Sequence, residues 1–161
     1  MDGVLVDLWE GLEKRLNKKI DKSNKKEFTQ EFYAFIENLK GPELSQFFAT
    51  LPPTLDCFRI WNAVRHLKPL ILSSVTNKEF TMYGKTIWCK NNLNLPGDRI
   101  FFSRKSNQKQ YYASKFSILI DDFEDNIAEW RNAGGIAVHH VDTENTIRQI
   151  KKAIQELGFT Y

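Results

Sequence analysis

The amino-acid sequence predicts an α/β protein in which helices cover both faces of a parallel β-sheet. From residue 69 onward, short apolar runs alternate with stretches of helical periodicity. The runs are almost continuously apolar, which is typical of strands that are buried on both faces. No internal repeat and no proline-, glycine- or serine-rich linker divides the 161 residues, so we expect one domain over residues 1–161.

The first third of the chain is predicted to be helical. Residues 7–19 and 25–40 have helical periodicity, and a Gly-Pro pair at 41–42 ends the second stretch. A Pro-Pro pair at 52–53 closes a further short helix, and Thr54 begins the next one. Within residues 25–40 the apolar side chains share one helix face: Phe28, Phe32, Phe35, Ile36 and Leu39.

The remaining residues alternate between predicted strands and helices. The strands cover residues 69–73, 99–102, 117–120 and 136–140. Helices are predicted at residues 77–95, 109–113 and 123–133, and over a last stretch with an apolar stripe of Ile147, Ile150, Ile154 and Leu157. Because ligands of parallel sheets bind at the carboxyl ends of the strands, functional residues are expected there.

The composition excludes several classes of protein. The 23 Lys and Arg residues outnumber the 20 Asp and Glu residues by three, which is too small an excess to indicate nucleic-acid binding. No apolar run approaches the roughly 20 residues of a membrane span, and the first residues lack the pattern of a secretory signal. Cys57 and Cys89 are too few for a disulfide framework. We therefore expect a soluble, cytoplasmic protein that binds neither membranes nor nucleic acid.

Acidic, hydroxyl and basic residues are expected to meet at one edge of the sheet. They are the pairs Asp2-Gly3, Ser73-Ser74 and Asp121-Asp122, together with Lys109. Carboxylates gathered in one place repel one another unless a cation lies between them. Mg²⁺ prefers such oxygen ligands and leaves positions free for phosphate oxygens, which hydroxyl and ammonium groups also bind. Phosphoryl transfer is the chemistry that this set favours.

Each of these residues also has a purely structural interpretation. An Asp-Gly pair is usually a turn, and Asp121 or Asp122 suits the N-cap of the helix that follows. Ser73 can be a hydroxyl at a strand end, and Lys109 a solvated lysine. The basic residues between positions 14 and 26 can attract an anionic substrate or form a solvated helix face. The order of the whole set along the chain favours the functional interpretation.

The ordered set resembles the motifs of the haloacid dehalogenase (HAD) superfamily of phosphohydrolases, and within it the 5'(3')-deoxyribonucleotidase-like branch. M-D-G-V-L-V-D at residues 1–7 matches the first family motif except at its first position, and I-L-S at 71–73 matches the second. The K-x-x-W pattern of the branch is at 85–88, its later lysine is Lys109, and I-L-I-D-D at 118–122 matches the fourth motif. The resemblance covers essentially the whole chain.

This resemblance implies a three-layer HAD-like (Rossmann-like) parallel sheet with a small helical cap inserted at about residues 8–50. It implies that Asp2 is the catalytic general acid/base and that its carbonyl contacts Mg²⁺. Ser73, with Ser74 beside it, would bind the phosphoryl oxygens, and Lys109 would balance their charge. Asp121 and Asp122 would complete the magnesium site.

The chain departs from the family at its first residue. The family's nucleophilic aspartate would lie one position before Met1, so the first central strand is expected to be truncated or absent. Losing that strand would leave buried backbone groups of its neighbours unpaired. Three explanations stay open: a start assigned too late, a sheet that closes up or borrows a strand from another chain, including a homodimer partner, and a non-catalytic relative.

The predicted function is that of a Mg²⁺-dependent phosphohydrolase of small phosphomonoesters, nucleoside monophosphates in particular. The 161-residue chain is expected to have little or no activity, because the nucleophile is missing. The alternative is a non-catalytic module that binds a phosphate ligand or a protein partner. Receiver domains of signalling systems use similar residues in a different order along the chain and are not favoured.

Overall fold

Helices and short parallel strands make up the fold, which confirms the predicted α/β class. Residues 1–21, 24–75 and 78–159 are described by a computed structural model of the chain. Within them, two two-stranded sheets each hold one parallel pair. In chain order the strands are β1 Ile71–Ser74, β2 Ile100–Ser103, β3 Ile118–Asp121 and β4 Ile136–His139.

The described strands do not form the one continuous sheet that the sequence predicted. β1 pairs with β2, where Ser73 lies opposite Phe102, and β3 pairs with β4, where Asp121 lies opposite His139. The segment that would have to separate β1 from β3 is not a strand, because Asp2 makes only an isolated bridge to Val6. The two pairs therefore remain separate sheets.

Helices lie before, between and after the strands. They are α1 Leu8–Leu16, α2 Lys25–Asn38, α3 Pro42–Ala49, α4 Cys57–Val64, α5 Lys78–Leu93, α6 Glu124–Asn132 and α7 Thr143–Glu156. The helix predicted at residues 7–19 ends early, because Asn17 adopts a left-handed conformation (φ 49°) that closes it. The helix predicted at 109–113 is instead part of a 3₁₀ helix, Ser106–Tyr112. The predicted start of α5 at Asn77 lies outside the described residues.

Residues 1–6 form a tight turn against the body of the protein. The Gly3 amide donates to the Val6 carbonyl over 2.9 Å, and Gly3 has a φ of 74° that favours glycine. Val6 is fully buried, and the Thr54 hydroxyl donates to the Val4 carbonyl over 2.9 Å. Asp7, directly after the turn, caps α1 by accepting a hydrogen bond from the Glu10 amide. The turn thereby fixes the position of Asp2.

The core is built around large aromatic side chains and contains both cysteines. Trp88 of α5 is fully buried, and its indole N–H donates to the Leu51 carbonyl over 2.8 Å. Burial raises the pKa of the Cys57 thiol to about 11 and that of the Cys89 thiol to about 12, so both stay protonated at neutral pH. None of the helices in the described ranges combines the length and apolar character that crossing a bilayer requires.

The contact between α3 and α5 depends on a glycine. A Cβ atom on Gly84 would lie 2.3 Å from the Ser45 carbonyl oxygen and 2.8 Å from the Phe48 Cβ. Because a backbone carbonyl cannot rotate away as a side chain can, α3 would have to move. We expect Gly84→Ala to lower the free energy of unfolding by about 1–3 kcal/mol, measured by urea denaturation. Gly97→Ala is the matched control, since its nearest neighbour would be 3.7 Å away. Equal stabilities for the two variants would contradict this packing.

Candidate functional site

Lys85 of α5 lies at the centre of the candidate site. Its Nζ is 2.6 Å from Asp2 Oδ2, 2.9 Å from Ser73 Oγ and 2.8 Å from the Ser74 carbonyl oxygen. The residue is 2% exposed, so its ammonium group depends on these three acceptors. One buried cation thus joins the N-terminal turn to the carboxyl end of β1.

A second lysine–aspartate pair lies at the carboxyl end of β3. Lys109 Nζ is 2.6 Å from Asp121 Oδ2, and both residues are buried. The Asn126 side-chain amide donates to Asp121 Oδ1 over 2.8 Å, and the Phe123 amide donates to the same oxygen over 3.1 Å. Asp121 is therefore held by three donors, which fixes the position of Lys109 in turn.

The two pairs lie within electrostatic reach of each other. Burial by itself would raise the pKa of Asp2, but Lys85, the Met1 amino group and Lys109 together lower that pKa below its usual value. Burial would also raise the pKa of Asp121, but Lys109 and the Met1 amino group lower that pKa below its usual value. Both groups are carboxylates at neutral pH. Asp122, which follows Asp121, lies against Gly3, which follows Asp2, so the two lysine–aspartate pairs are neighbours.

The lowered pKa values of Asp2 and Asp121 predict a loss of stability in acid. A carboxyl group whose pKa is lower in the folded state stabilises that state above its unfolded pKa of about 3.9. This contribution is lost as the pH falls through the folded-state pKa. We expect the free energy of unfolding, measured in urea, to fall steeply below about pH 4. In Asp121→Asn the unfolding free energy should fall less steeply with decreasing pH. An identical pH profile for that variant would contradict the assignment of the acid sensitivity to Asp121.

Asp122 lies against the N-terminal turn. A Cβ atom on Gly3 would be 2.0 Å from Asp122 Oδ2, so only glycine leaves room for this carboxyl group. The loss of solvent around the group and the charge of Asp121 raise the pKa of Asp122. The Met1 amino group and Lys109 act in the opposite direction and offset part of this rise.

The two serines of β1 have different surroundings. Ser73 is 1% exposed, and its hydroxyl accepts a hydrogen bond from Lys85. The Ser74 hydroxyl lies 3.2 Å from the Ser103 hydroxyl of β2, and its carbonyl accepts from Lys85. Ser73 thus belongs to the cluster through its side chain, whereas Ser74 contributes its backbone.

A cavity of about 470 Å³ lies beside this cluster and is bordered by Asp2, Ser74 and Lys85. Its other polar lining residues are Thr81, Arg104, Lys105 and Ser106, and its aromatic ones are Phe32, Tyr33 and Phe48. Asp2 Oδ1 and Thr81 Oγ1 are buried and have no hydrogen-bond partner among the described residues. Since buried polar atoms normally find a partner, these two atoms favour a polar ligand in the cavity.

The carboxyl groups fit a magnesium ion only in part. In the portions of the chain that the structure covers, no three His, Cys, Asp or Glu side chains are grouped closely enough to hold a metal. The two oxygens of Asp121 already accept hydrogen bonds, whereas Asp2 Oδ1 is unpartnered. Mg²⁺ is usually held by one or two carboxylates, several waters and substrate phosphates. Within the described residues, the unpartnered Asp2 Oδ1 is the oxygen of the cluster that could supply one such carboxylate ligand.

The structure places Asp2 and Ser73 on Lys85, and Asp121 on Lys109. Lys85 lies in the K-x-x-W pattern, but the sequence did not predict it as a site residue. A usable signal was present: Thr81, Lys85 and Trp88 share one face of α5, and that face is buried. A lysine between buried residues requires a buried partner, and Asp2 is that partner.

Three of the basic residues between positions 14 and 26 are paired with acids. Lys14 lies 2.5 Å from Glu10, Lys18 lies 2.6 Å from Glu31, and Lys19 lies 3.1 Å from Glu13. Lys22 lies outside the described residues. This pairing agrees with a solvated helix face rather than with a surface that attracts substrate.

Comparison with known proteins identifies no relative of this chain. No family model, no curated protein and no solved structure matches it. The sequence motifs and the geometry of the two lysine–aspartate pairs therefore carry the functional proposal.

Proposed function

We propose that the chain is a phosphate-binding protein of the HAD type, with a three-layer Rossmann-like fold and a helical cap at about residues 8–50. The observation that carries this proposal is the convergence of Asp2, Lys85 and Ser73 with Lys109 and Asp121 at the ends of β1 and β3. Ligands of parallel sheets bind at this edge. A hydroxyl and two ammonium groups suit phosphate oxygens.

The proposed ligand is a nucleoside monophosphate or another small phosphomonoester. Ser73 and Lys109 would bind the phosphoryl group, and Lys85, whose three donors bind Asp2, Ser73 and Ser74, would add its positive charge. Arg104 and Lys105 add positive charge to the cavity, and Phe32 and Tyr33 offer ring faces on which a base can stack. The lining therefore combines the features that a nucleotide needs. A cytoplasmic location remains a prediction.

Magnesium is part of the proposal. Asp2 and Asp122 would hold the ion, with water and the phosphate completing its shell. When bound, the ion supplies positive charge that neutralises the phosphoryl oxygens. Lys85 orients Asp2 through its 2.6 Å contact, and Asn126 orients Asp121.

Hydrolysis by the 161-residue chain is expected to be slight. A HAD-type reaction needs a carboxylate that attacks phosphorus, and residues 1–161 do not include the aspartate of that motif position. Asp2, which is a carboxylate at neutral pH, would still be placed to accept a proton at its unpartnered Oδ1. The second candidate function is a module that binds a phosphate ligand without turnover. It is favoured because both oxygens of Asp121 already accept hydrogen bonds.

Calorimetric titration with deoxyuridine monophosphate, with and without Mg²⁺, tests this proposal. We expect binding that Mg²⁺ strengthens and that deoxyuridine itself does not reproduce. A phosphate-release assay on the same samples should stay near the blank. The absence of nucleotide binding would refute phosphate recognition. Rapid Mg²⁺-dependent release, abolished in Asp2→Asn, would instead refute the expectation of slight turnover.

A further inference from the structure

Ser106 connects the cavity of about 470 Å³ to the buried Lys109–Asp121 pair. The residue borders the cavity, and its Oγ lies 2.7 Å from Asn126 Oδ1. On the other side of the same amide, Asn126 Nδ2 lies 2.8 Å from Asp121 Oδ1. Since Asp121 binds Lys109 over 2.6 Å, a continuous chain of hydrogen bonds leads from the cavity wall to this lysine.

The 3₁₀ helix Ser106–Tyr112 places both ends of this chain on one side. Such a helix has three residues per turn, so Ser106 and Lys109 lie directly above one another. Lys109 is 8% exposed, which shows that this side of the helix faces the interior. Asn126 of α6 is 3% exposed and fits against the same side.

The charge of Asp121 determines where the protons of this chain lie. Lys109 and the Met1 amino group lower the pKa of Asp121, so the group is a carboxylate at neutral pH and only accepts hydrogen bonds. Asn126 must therefore turn its NH₂ group toward Asp121 and its carbonyl oxygen toward Ser106. Because a carbonyl oxygen also only accepts, the Ser106 hydroxyl must donate its single proton to Asn126.

The direction of this bond limits what Ser106 offers to a ligand. With its proton bound to Asn126, the hydroxyl oxygen keeps only acceptor capacity toward the cavity. Arg104 and Lys105, which border the cavity beside it, carry side-chain donors only. Oxygen atoms of a ligand therefore suit Arg104 and Lys105, whereas Ser106 requires an N–H or O–H group.

We propose that Ser106 is a specificity-determining residue of the cavity, where its oxygen accepts a hydrogen bond from an N–H or O–H group of the bound nucleotide. This inference rests on the proposed binding of a phosphomonoester at this site. A site built to bind a donor group discriminates against an analogue that lacks it, because the protein acceptor is then left unpaired. The class of ligand is thereby narrowed to phosphomonoesters that carry a donor apart from the phosphate.

Calorimetric titration with three nucleotides tests this inference. Deoxyuridine monophosphate has two donors outside its phosphate, the N3–H of the base and the 3′-hydroxyl of the sugar. Its N3-methyl analogue lacks the first donor, and its 3′-deoxy analogue lacks the second. We expect one of the two analogues to bind the unchanged chain about tenfold more weakly than the parent nucleotide. Ser106→Ala should bind the parent about tenfold more weakly and should no longer distinguish it from that analogue.

Matched variants separate the hydrogen bond from a general effect on the fold. Ser106→Thr keeps the hydroxyl and should restore both the affinity and the preference. Ser114→Ala removes the hydroxyl of an exposed serine that does not border the cavity, and it should leave both unchanged.

NMR spectroscopy without ligand tests the chain of hydrogen bonds directly. In Ser106→Ala the Asn126 amide loses the donor that fixes its orientation. Its side-chain NH₂ protons should then exchange with solvent about tenfold faster, and Ser106→Thr should keep the slow rate.

Four outcomes would contradict the inference, and they point to different causes. Equal affinity of the unchanged chain for all three nucleotides would exclude a donor contact and leave phosphate recognition intact. A preference that persists in Ser106→Ala would place the acceptor on another residue. Equal exchange rates of the Asn126 amide protons would disprove the hydrogen-bond chain. Failure of deoxyuridine monophosphate itself to bind would refute the proposed function, and this inference with it.

Discussion

Lys85→Met should lower the free energy of unfolding by about 3 kcal/mol and abolish phosphate binding. Methionine keeps the length of the side chain but removes its charge, which leaves the Asp2 carboxylate, the Ser73 hydroxyl and the Ser74 carbonyl without their donor. The expected loss of unfolding free energy is at the lower end of the range for breaking a buried ion pair, because the Asp2 side chain is 30% exposed. Urea denaturation and calorimetry measure the two effects.

The control for this change is on the same helix. Lys90 is exposed, so Lys90→Met should leave stability and binding nearly unchanged. A double-mutant cycle with Asp2→Asn then isolates the pair, since the two changes should cost less together than the sum of their separate costs. If Lys85→Met were no more destabilising than Lys90→Met, the central role of Lys85 would be disproved.

Asp121→Asn should cost about 3–5 kcal/mol of stability, the larger of the two expected losses. Both members of this pair are buried, with side-chain exposures of 3% for Asp121 and 10% for Lys109. Asparagine keeps the shape of the side chain but removes the charge that compensates Lys109. Its amide nitrogen, a donor, would also lie against another donor, either Lys109 or Asn126. Lys109 would then have to lose its proton or draw water into the site.

Asp98→Asn is the matched control, because Asp98 is exposed in the loop before β2. It removes the same charge from the chain without touching a buried partner. The double variant Asp121→Asn, Lys109→Met tests whether the uncompensated charge of Lys109 causes the loss of stability. Removing both charges should restore part of the stability that Asp121→Asn loses. A double variant less stable than Asp121→Asn alone would contradict the explanation.

The positions of the strands could be predicted from the sequence, because each is a short apolar run whose ends are marked by polar residues. β3 was predicted at residues 117–120 and lies at Ile118–Asp121; β4 was predicted at 136–140 and lies at Ile136–His139. Residues at the carboxyl ends of parallel strands are brought to one edge by chain topology alone, which is why Ser73 and Asp121 were expected there. The hydrogen bond between Lys109 and Asp121 was not predicted.

The role of Lys85 and the division of the sheet could not be predicted in the same way. Lys85 lies in the middle of α5, where composition allows either a solvated or a buried lysine, and its burial depends on how α5 packs against α3. The pairing of β1 with β2 and of β3 with β4 is local in sequence. Contact between β1 and β3 depends on what lies between them, which periodicity within each strand does not reveal.

A crystal structure grown with inorganic phosphate and Mg²⁺ is the most direct test of the claim that the two lysine–aspartate pairs form one phosphate site. We expect phosphate density within about 3 Å of the Ser73 hydroxyl and of at least one of Lys85 Nζ and Lys109 Nζ. Magnesium should lie against Asp2 or Asp122. Phosphate bound elsewhere, or Asp2 and Asp121 on different faces of the protein, would contradict the account.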